Sequence, residues 1–334
     1  MPDKVLLAHG SGGKLAHELI CGSFISELDN PLLAPMDDAA VFAAPGRLAF
    51  TTDSYVVRPI FFPGGDIGRL AVSGTVNDLS MVGAKPLYLS LAFIIEEGLP
   101  FEDLERIVKS IKDTAGEAGV KIVTGDTKVV ERGSADKLFI NTAGVGEVPP
   151  RVNISGHSAK PGDAVILSGT IGDHGIAVLS QREGLRFGTS LESDCAPLNR
   201  LVADMIEVSD NIHSLRDPTR GGLASTLNEL AGQSGVSITI EEADIPIREE
   251  VRSACEMLGL DPLHIANEGK LVAVVDAADA DKIVARMRLN KYGRNAAVIG
   301  RVQEGRPGRV TMKTRLGTSR VIDMLVGEPL PRIC

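Results

Sequence analysis

The chain has 334 residues, 43% of them hydrophobic and 24% charged, with a net charge of −9 and no Trp. That length exceeds one ordinary hydrophobic core and predicts two domains. The acidic balance, with only nine Phe and three Tyr to offer stacking platforms, excludes nucleic acid as a partner.

The opening MPDKVLLAHG lacks the long apolar core of a signal peptide. No later run approaches the ~20 apolar residues that span a bilayer, so no membrane is involved and the expected compartment is the cytoplasm. Residues 1–40 hold a Gly-rich stretch, a helix-like run over Lys14–Leu28 and a Pro-punctuated linker. VFAAPGRLAFTTDSYVV reads as two strands joined by a Pro-Gly turn. Ile67–Val82 carries small and apolar residues at helical spacing, PLYLSLAFIIEE is a β-type run, and Pro100–Ala118 is an amphipathic helix. VKIVTGDT predicts a short buried strand ending in a polar loop, and KLFINTAGVGEV predicts another strand. Together they form an α/β layer.

PPRVNISGHSAKPGD, rich in Pro, Gly and Ser, marks the domain boundary. Beyond it, AVILSGT, IHSLR, SITIEE, KLVAVVD, AAVIG, RVTMKT and SRVIDMLV read as strands. Helices are expected at His174–Arg182, Pro197–Val208, Gly222–Ala231, Ile247–Leu258 and Asp279–Arg288. The division is therefore a Gly-rich segment (1–40), an N-terminal domain (41–150), a C-terminal α/β domain (151–326) and a tail (327–334).

Among residues suited to chemistry, HGSGGK offers backbone N–H groups of Gly10, Ser11, Gly12 and Gly13 to phosphate, with Lys14 adding charge. It is not a P-loop, because Ala8 and Leu15 stand where Gly and Ser or Thr are required. Asp37, Asp38, Asp53, Asp78 and Asp126 each sit among small or polar residues at a strand end or in a loop. Lone Asp residues of this kind cap helices and form turns; five in one domain suit Mg²⁺, which takes carboxylates together with nucleotide phosphates. DPTRGG places Arg220 at a strand-to-helix turn, either as a phosphate contact or within a capped turn, and NEGK sets Glu268 before a Gly at the entrance to a buried strand, a stretch that reads equally as a turn.

The four cysteines, Cys21, Cys195, Cys255 and Cys334, are widely spaced and form no CxxC, which argues against a zinc site or a disulfide framework. Cys334 stands last, whereas prenylation needs a cysteine four residues from the end.

HGSGGK, DDAA, TTDS, NDLSMVGAKP, TGDTKVV, DPTRGG, NEG and PRIC occur in this order along essentially the whole chain. In this the chain resembles the HypE hydrogenase maturation factors. Their superfamily also contains aminoimidazole ribonucleotide synthetase, thiamine-monophosphate kinase and selenophosphate synthetase. The resemblance implies a two-domain PurM-like α/β fold whose N-terminal domains pair through their sheets in a homodimer, with ATP between the domains and across that pairing. It further implies that Asp37, Asp38, Asp53, Asp78 and Asp126 hold Mg²⁺ and ATP, assisted by Asn77 and Thr127, while the Gly-rich loop closes over the phosphates.

The implied activity is ATP-dependent dehydration of an S-carbamoyl group on Cys334 to S-cyanide. A carbamoyltransferase, HypF, loads the group, and a HypC–HypD complex passes the cyanide to the iron of [NiFe]-hydrogenase. Chemical need and family position then assign Lys128 and Arg151 as cations near the transferring oxygen and Glu268 as the base for nitrogen. GEPLPRIC, with two prolines, resists helix and sheet, so a mobile arm ending in Cys334 is expected, with Arg332 slightly lowering the thiol's pKa. Another ATP-using enzyme of the superfamily, or a non-catalytic ATP-gated module, stays open as an alternative.

Overall fold

In this computed structural model the described residues are 4–6, 9, 18–33, 43, 46–185, 191–324, 330 and 332–334. Gly10, Ser11, Gly12, Gly13, Lys14, Asp37 and Asp38 lie outside them, as does most of the first strand expected in VFAAPGRLAF. The run expected to be helical from Lys14 is described from Glu18, where a π-helical turn at Ile20–Ile25 continues into Ser26–Leu28.

The N-terminal half runs β1 (Arg47–Tyr55), a two-residue-stranded hairpin of β2 (Phe61–Phe62) and β3 (Gly65–Asp66), and α1 (Ile67–Met81). It continues as β4 (Lys85–Glu96), α2 (Phe101–Ala118), β5 (Lys121–Val130) and β6 (Leu138–Val148). The sheet order is β1-β6-β4-β5, antiparallel except for β4 with β5, because α2 supplies the crossover that a parallel pair requires. Pro100 precedes α2, Glu102 and Asp103 sit in its first turn, and Gly119 closes it in the left-handed region. TGDT departs from the expected loop. Gly125, Asp126 and Thr127 continue β5, paired with Leu91, Ala92 and Phe93, since the ladder on β4, which resumes after a bulge at Val123 and runs on to Val130, outweighs local turn preference.

The C-terminal half runs β7 (Ala164–Leu167), α3 (Asp173–Glu183), α4 (Asn199–Val208), β8 (Ile212–Arg216), α5 (Gly222–Ser234) and β9 (Ser237–Glu241). It ends with α6 (Glu249–Leu258), β10 (Val272–Val275), α7 (Ala280–Arg288), β11 (Ala297–Gln303), β12 (Arg309–Lys313) and β13 (Ser319–Ile322). These strands form one mixed sheet in the order β13-β12-β9-β11-β7-β10-β8. Side-chain alternation divides its two faces. Val165, Leu167, Val272 and Val274 join α5 residues in one core, while Ala164, Ile166, Ala273 and Val275 join α4 and α7 residues in another. With both faces covered at the centre of the sheet, β7 and β10 read as continuous apolar runs, whereas β9 and β12 alternate.

α1 lies between the first sheet and the second domain, and this explains why it is buried on nearly every side. The other face of the first sheet is open and apolar: Phe50 is 72% and Ile94 42% exposed, opposite Val145 and Phe139 respectively. No helix among the described residues is long and apolar enough to cross a membrane.

The segment before α4 forms the seam between the domains. Arg69 Nε donates to the Cys195 carbonyl at 2.8 Å, and Ser193 N–H donates to the Pro63 carbonyl at 2.8 Å. Across the same seam, Glu117 of α2 accepts from Lys291 Nζ at 2.6 Å and from the Tyr292 hydroxyl. Gly269 has no room for a Cβ, which would stand 1.7 Å from the Asp194 carbonyl oxygen. A side chain there would force the seam off the loop that carries Glu268.

Candidate active site

Alternation on β1 turns Thr51, Asp53 and Tyr55 towards α1 and the second domain. Asp78, in the last turn of α1, accepts from the Thr51 hydroxyl at 2.9 Å. From the second domain, β8 runs into DPTRGG, where Gly221 and Gly222 take φ of 63° and 62° and start α5. A Cβ at Gly222 would meet the Ile265 carbonyl oxygen at 2.6 Å, so this turn packs directly against the loop leading to Asn267 and Glu268. Arg220 projects from it and pairs with Asp53 Oδ1 at 3.2 Å.

Asp53 and Asp78 line an open cleft of about 810 Å³ between the domains, bordered by Arg47, Phe50, Arg216 and Glu229. Its inner end is a small chamber enclosed by Tyr55, Asp217, Arg220, Glu268 and Cys334. The sequence-predicted residues Asp53, Asp78, Glu268 and Cys334 therefore meet in one place.

Three carboxyl groups here resist ionisation. Burial, then Asp217 and Asp194, hold Glu268 well above the usual carboxylate range, and its Oε1 is buried with no hydrogen-bond partner. Burial, then Asp78, push Asp217 up to about 7. Burial also raises Asp78, the Thr51 hydroxyl opposing it. Asp217 was missed in the sequence because DPTRGG reads as a capped turn; the only local signal was an acid next to a predicted strand end.

Cys334 reaches the chamber because Arg332, Ile333 and Cys334 lie along residues 56–58. Val56 N–H donates to the Cys334 carbonyl and Arg58 N–H to the Arg332 carbonyl, both at 3.2 Å. Arg182 donates to the Arg332 carbonyl at 2.6 Å, and His174 Nε2 lies 3.0 Å from the Ile333 carbonyl. Leu330 and Ile333 are buried in an apolar cluster to which both domains contribute, Ile176 and Val251 among its second-domain members. The thiol is pushed up to about 12, by burial first and Glu268 second, with Arg220 opposing. This corrects the expectation for Arg332. Its guanidinium faces the Val56 carbonyl and Asp136, and the cation at the sulfur is Arg220.

Other expected site residues stand elsewhere. Asn77 is wholly buried in the seam and turned away from the cleft: its amide donates to the Ala196 carbonyl at 3.1 Å and its oxygen accepts Leu198 N–H at 2.7 Å. Asp126, Thr127 and Lys128 lie on the edge strand β5, with β6 and β4 between them and Asp53. Lys128 pairs with Asp126 at 2.7 Å and draws that carboxyl below its ordinary value. Arg151 pairs with Asp210 and donates to the Ile206 carbonyl, outside the cleft. All four cysteines are free.

Among the described residues no group of three or more His, Cys, Asp or Glu side chains is placed to hold a metal by itself. The pair Asp53 and Asp78 fits a divalent cation that arrives on nucleotide phosphates, which complete its oxygen shell together with water.

The AIR synthase related protein family matches this chain in both its N-terminal domain (residues 36–148) and its C-terminal domain (residues 160–313). The chain is 55% identical to the carbamoyl dehydratase HypE of Cupriavidus necator over 333 residues, 99% of this chain and 95% of that protein. A crystal structure of a hydrogenase maturation protein HypE in complex with ATP superposes with a TM-score of 0.96 at 53% identity, covering 98% of this chain and 99% of that one. A HypE–HypF complex contains a chain with a TM-score of 0.82 and 53% identity, covering 92% and 99%.

Proposed function

The chain belongs to the HypE carbamoyl dehydratases, the ATP-binding hydrogenase-maturation branch of the AIR synthase related family, and on that premise we propose that Cys334 carries the group it dehydrates. The observation that carries this reading is the meeting of the Cys334 thiol with Glu268, whose buried Oε1 has no partner, in a chamber opening on the Asp53–Asp78 cleft.

An S-carbamoyl group loses water only when its oxygen becomes a leaving group. Transfer of the γ-phosphoryl group of ATP to that oxygen achieves this, with one N–H proton leaving as the C–N bond gains double-bond character. Expulsion of phosphate then takes the second N–H proton and leaves S–C≡N. Glu268 is the acceptor for nitrogen's protons: a carboxyl that resists ionisation is a strong base once ionised, and Asp217 beside it provides an outlet near neutral pH. Arg220, between Asp53 and the sulfur, orients the loaded group and faces the incoming phosphate. A divalent ion held by Asp53 and Asp78 would supply charge neutralisation on the phosphates.

A thiol held neutral by burial is a poor nucleophile. Loading therefore takes place with the tail withdrawn from the chamber, as a mobile arm, and the uncharged carbamoyl group returns to it without desolvating a thiolate. A HypF-type transferase, the partner of the relative in complex, does the loading, and a HypC–HypD-type complex accepts the product. The open face around Phe50 and Ile94 fits sheet-to-sheet homodimerisation. That pairing would bring Lys128 and Asp126 of one copy to the nucleotide of the other, so that an edge-strand cation takes part.

The test is the mass of the tail peptide. Incubation with the transferase and carbamoyl phosphate should add one carbamoyl group, and ATP should then remove one water from it. ATP hydrolysis by the wild type with no adduct on Cys334 at any stage would overturn the reading.

A further inference from the structure

His174, the second residue of α3, is fully buried, with its ring edge-on to Phe62 at a centroid distance of 5.4 Å. Its Nε2 lies 3.0 Å from the Ile333 carbonyl oxygen. A carbonyl only accepts, so Nε2 carries the proton. Nδ1 lies 2.8 Å from Ser193 Oγ. On a neutral ring Nδ1 accepts, so the Ser193 hydroxyl donates to it while accepting Cys195 N–H at 3.0 Å. Burial lowers the proton affinity of His174, in keeping with that assignment.

The next residue connects this chain of bonds to the catalytic loop. Asp194 Oδ1 accepts Glu268 N–H at 3.0 Å and Oδ2 pairs with Lys270 Nζ at 3.1 Å. A second route leaves the start of α3 itself: Gly172 N–H donates to Asn267 Oδ1 at 2.7 Å and Gly175 N–H to the Ala266 carbonyl at 3.1 Å. The residue that grips the tail one position before Cys334 is thus built into the support of Glu268.

We propose that His174 is a positioning residue for the dehydration: through the Ile333 carbonyl it holds the docked tail, and through Ser193 and Asp194 it sets the loop bearing Glu268 against the group on Cys334. Because it reads backbone, it grips the free, carbamoylated and cyanated tails alike. Its catalytic consequence rests on Cys334 being the carrier; its role in docking does not.

The test uses the full chain with His174→Phe, which removes both nitrogens, His174→Gln, which keeps an N–H donor, and Ser193→Ala. The first readout is the rate at which iodoacetamide alkylates Cys334, with no partner or nucleotide. Loss of one hydrogen bond to the tail is expected to speed alkylation about tenfold in His174→Phe, less in Ser193→Ala, and little in His174→Gln. The second is single-turnover dehydration of a preloaded tail, where His174→Phe should lower the maximal rate about tenfold at unchanged apparent affinity for ATP, with recovery in His174→Gln. Alkylation at the wild-type rate in a folded His174→Phe overturns the proposal, as does faster alkylation with undiminished turnover. Should His174→Phe fail to fold, Ser193→Ala decides by the same two readouts. If the wild type never dehydrates a loaded tail, the carrier reading fails, and the alkylation contrast still decides the docking.

Discussion

The side-chain oxygen of Asn77, on a helix of the first domain, accepts the backbone N–H of Leu198 in the second at 2.7 Å. Its amide donates to the Ala196 carbonyl as well, so one wholly buried side chain clamps the segment that leads into α4. Asn77→Ala leaves these backbone groups without partners and is expected to lower stability by about 3 kcal/mol. Asn77→Asp, which cannot donate to a carbonyl when ionised, should lose nearly as much. Urea unfolding checks both; a loss below about 1 kcal/mol would mean that water replaces the clamp.

Asp78→Asn removes one of the pair of acids, Asp53 and Asp78, suited to a divalent cation, while keeping an acceptor for the Thr51 hydroxyl. Thermal stabilisation by saturating Mg-ATP, about 3 kcal/mol at a hundredfold excess over Kd, should largely vanish in this variant. Stabilisation by ATP in the presence of a chelator should change little.

Glu268→Gln is expected to slow dehydration of a preloaded tail by about 10² to 10⁴, with ATP binding retained. In the wild type the rate should rise with pH well above the usual carboxylate range, as Glu268 ionises, and Asp217→Asn should move that rise to lower pH, because Asp217 raises Glu268. Stability runs the other way. Both carboxyls ionise at higher pH in the folded chain than in the unfolded one, so the folded state binds more protons between the two values. Their contribution is complete below the unfolded value of about 4 and declines as pH rises towards the folded ones, about 7 for Asp217. Glu268→Gln should therefore melt about 4 °C above the wild type near pH 8, with the difference closing near pH 4. Calorimetry at the two pH values is the check.

Phe50→Glu places a charge on the open sheet face opposite Val145. It should convert a dimer to monomer in sedimentation without lowering the melting point of the isolated chain by more than about 0.5 kcal/mol equivalent. A dimer that survives this change pairs through another surface.

Much of the fold was legible because period and punctuation agree with it. The α2 repeat between Pro100 and Gly119 and the alternating runs of β4 and β6 needed no tertiary information. TGDT misled because its turn-forming residues are overruled by a neighbouring strand. In the site, Glu268 came only through the family resemblance, whereas Asp53, Asp78 and Cys334 were legible as acids and a thiol in unusual settings. Asn77 was not, since its partners lie more than a hundred residues away and only the folded seam brings them near. The same holds for His174 and Asp217, whose meaning comes from what buries them.

β5 stands at the far edge of its sheet, so a single copy keeps Lys128 apart from its own Glu268. If the edge strand serves a neighbour's nucleotide, function belongs to the pair, and damage at the two positions is complementable. Mixing two inactive variants, Lys128→Ala and Glu268→Gln, should then restore about a quarter of the sites, because each mixed dimer assembles one intact set from its two copies. A cell carrying both defective alleles would mature hydrogenase where neither allele alone suffices.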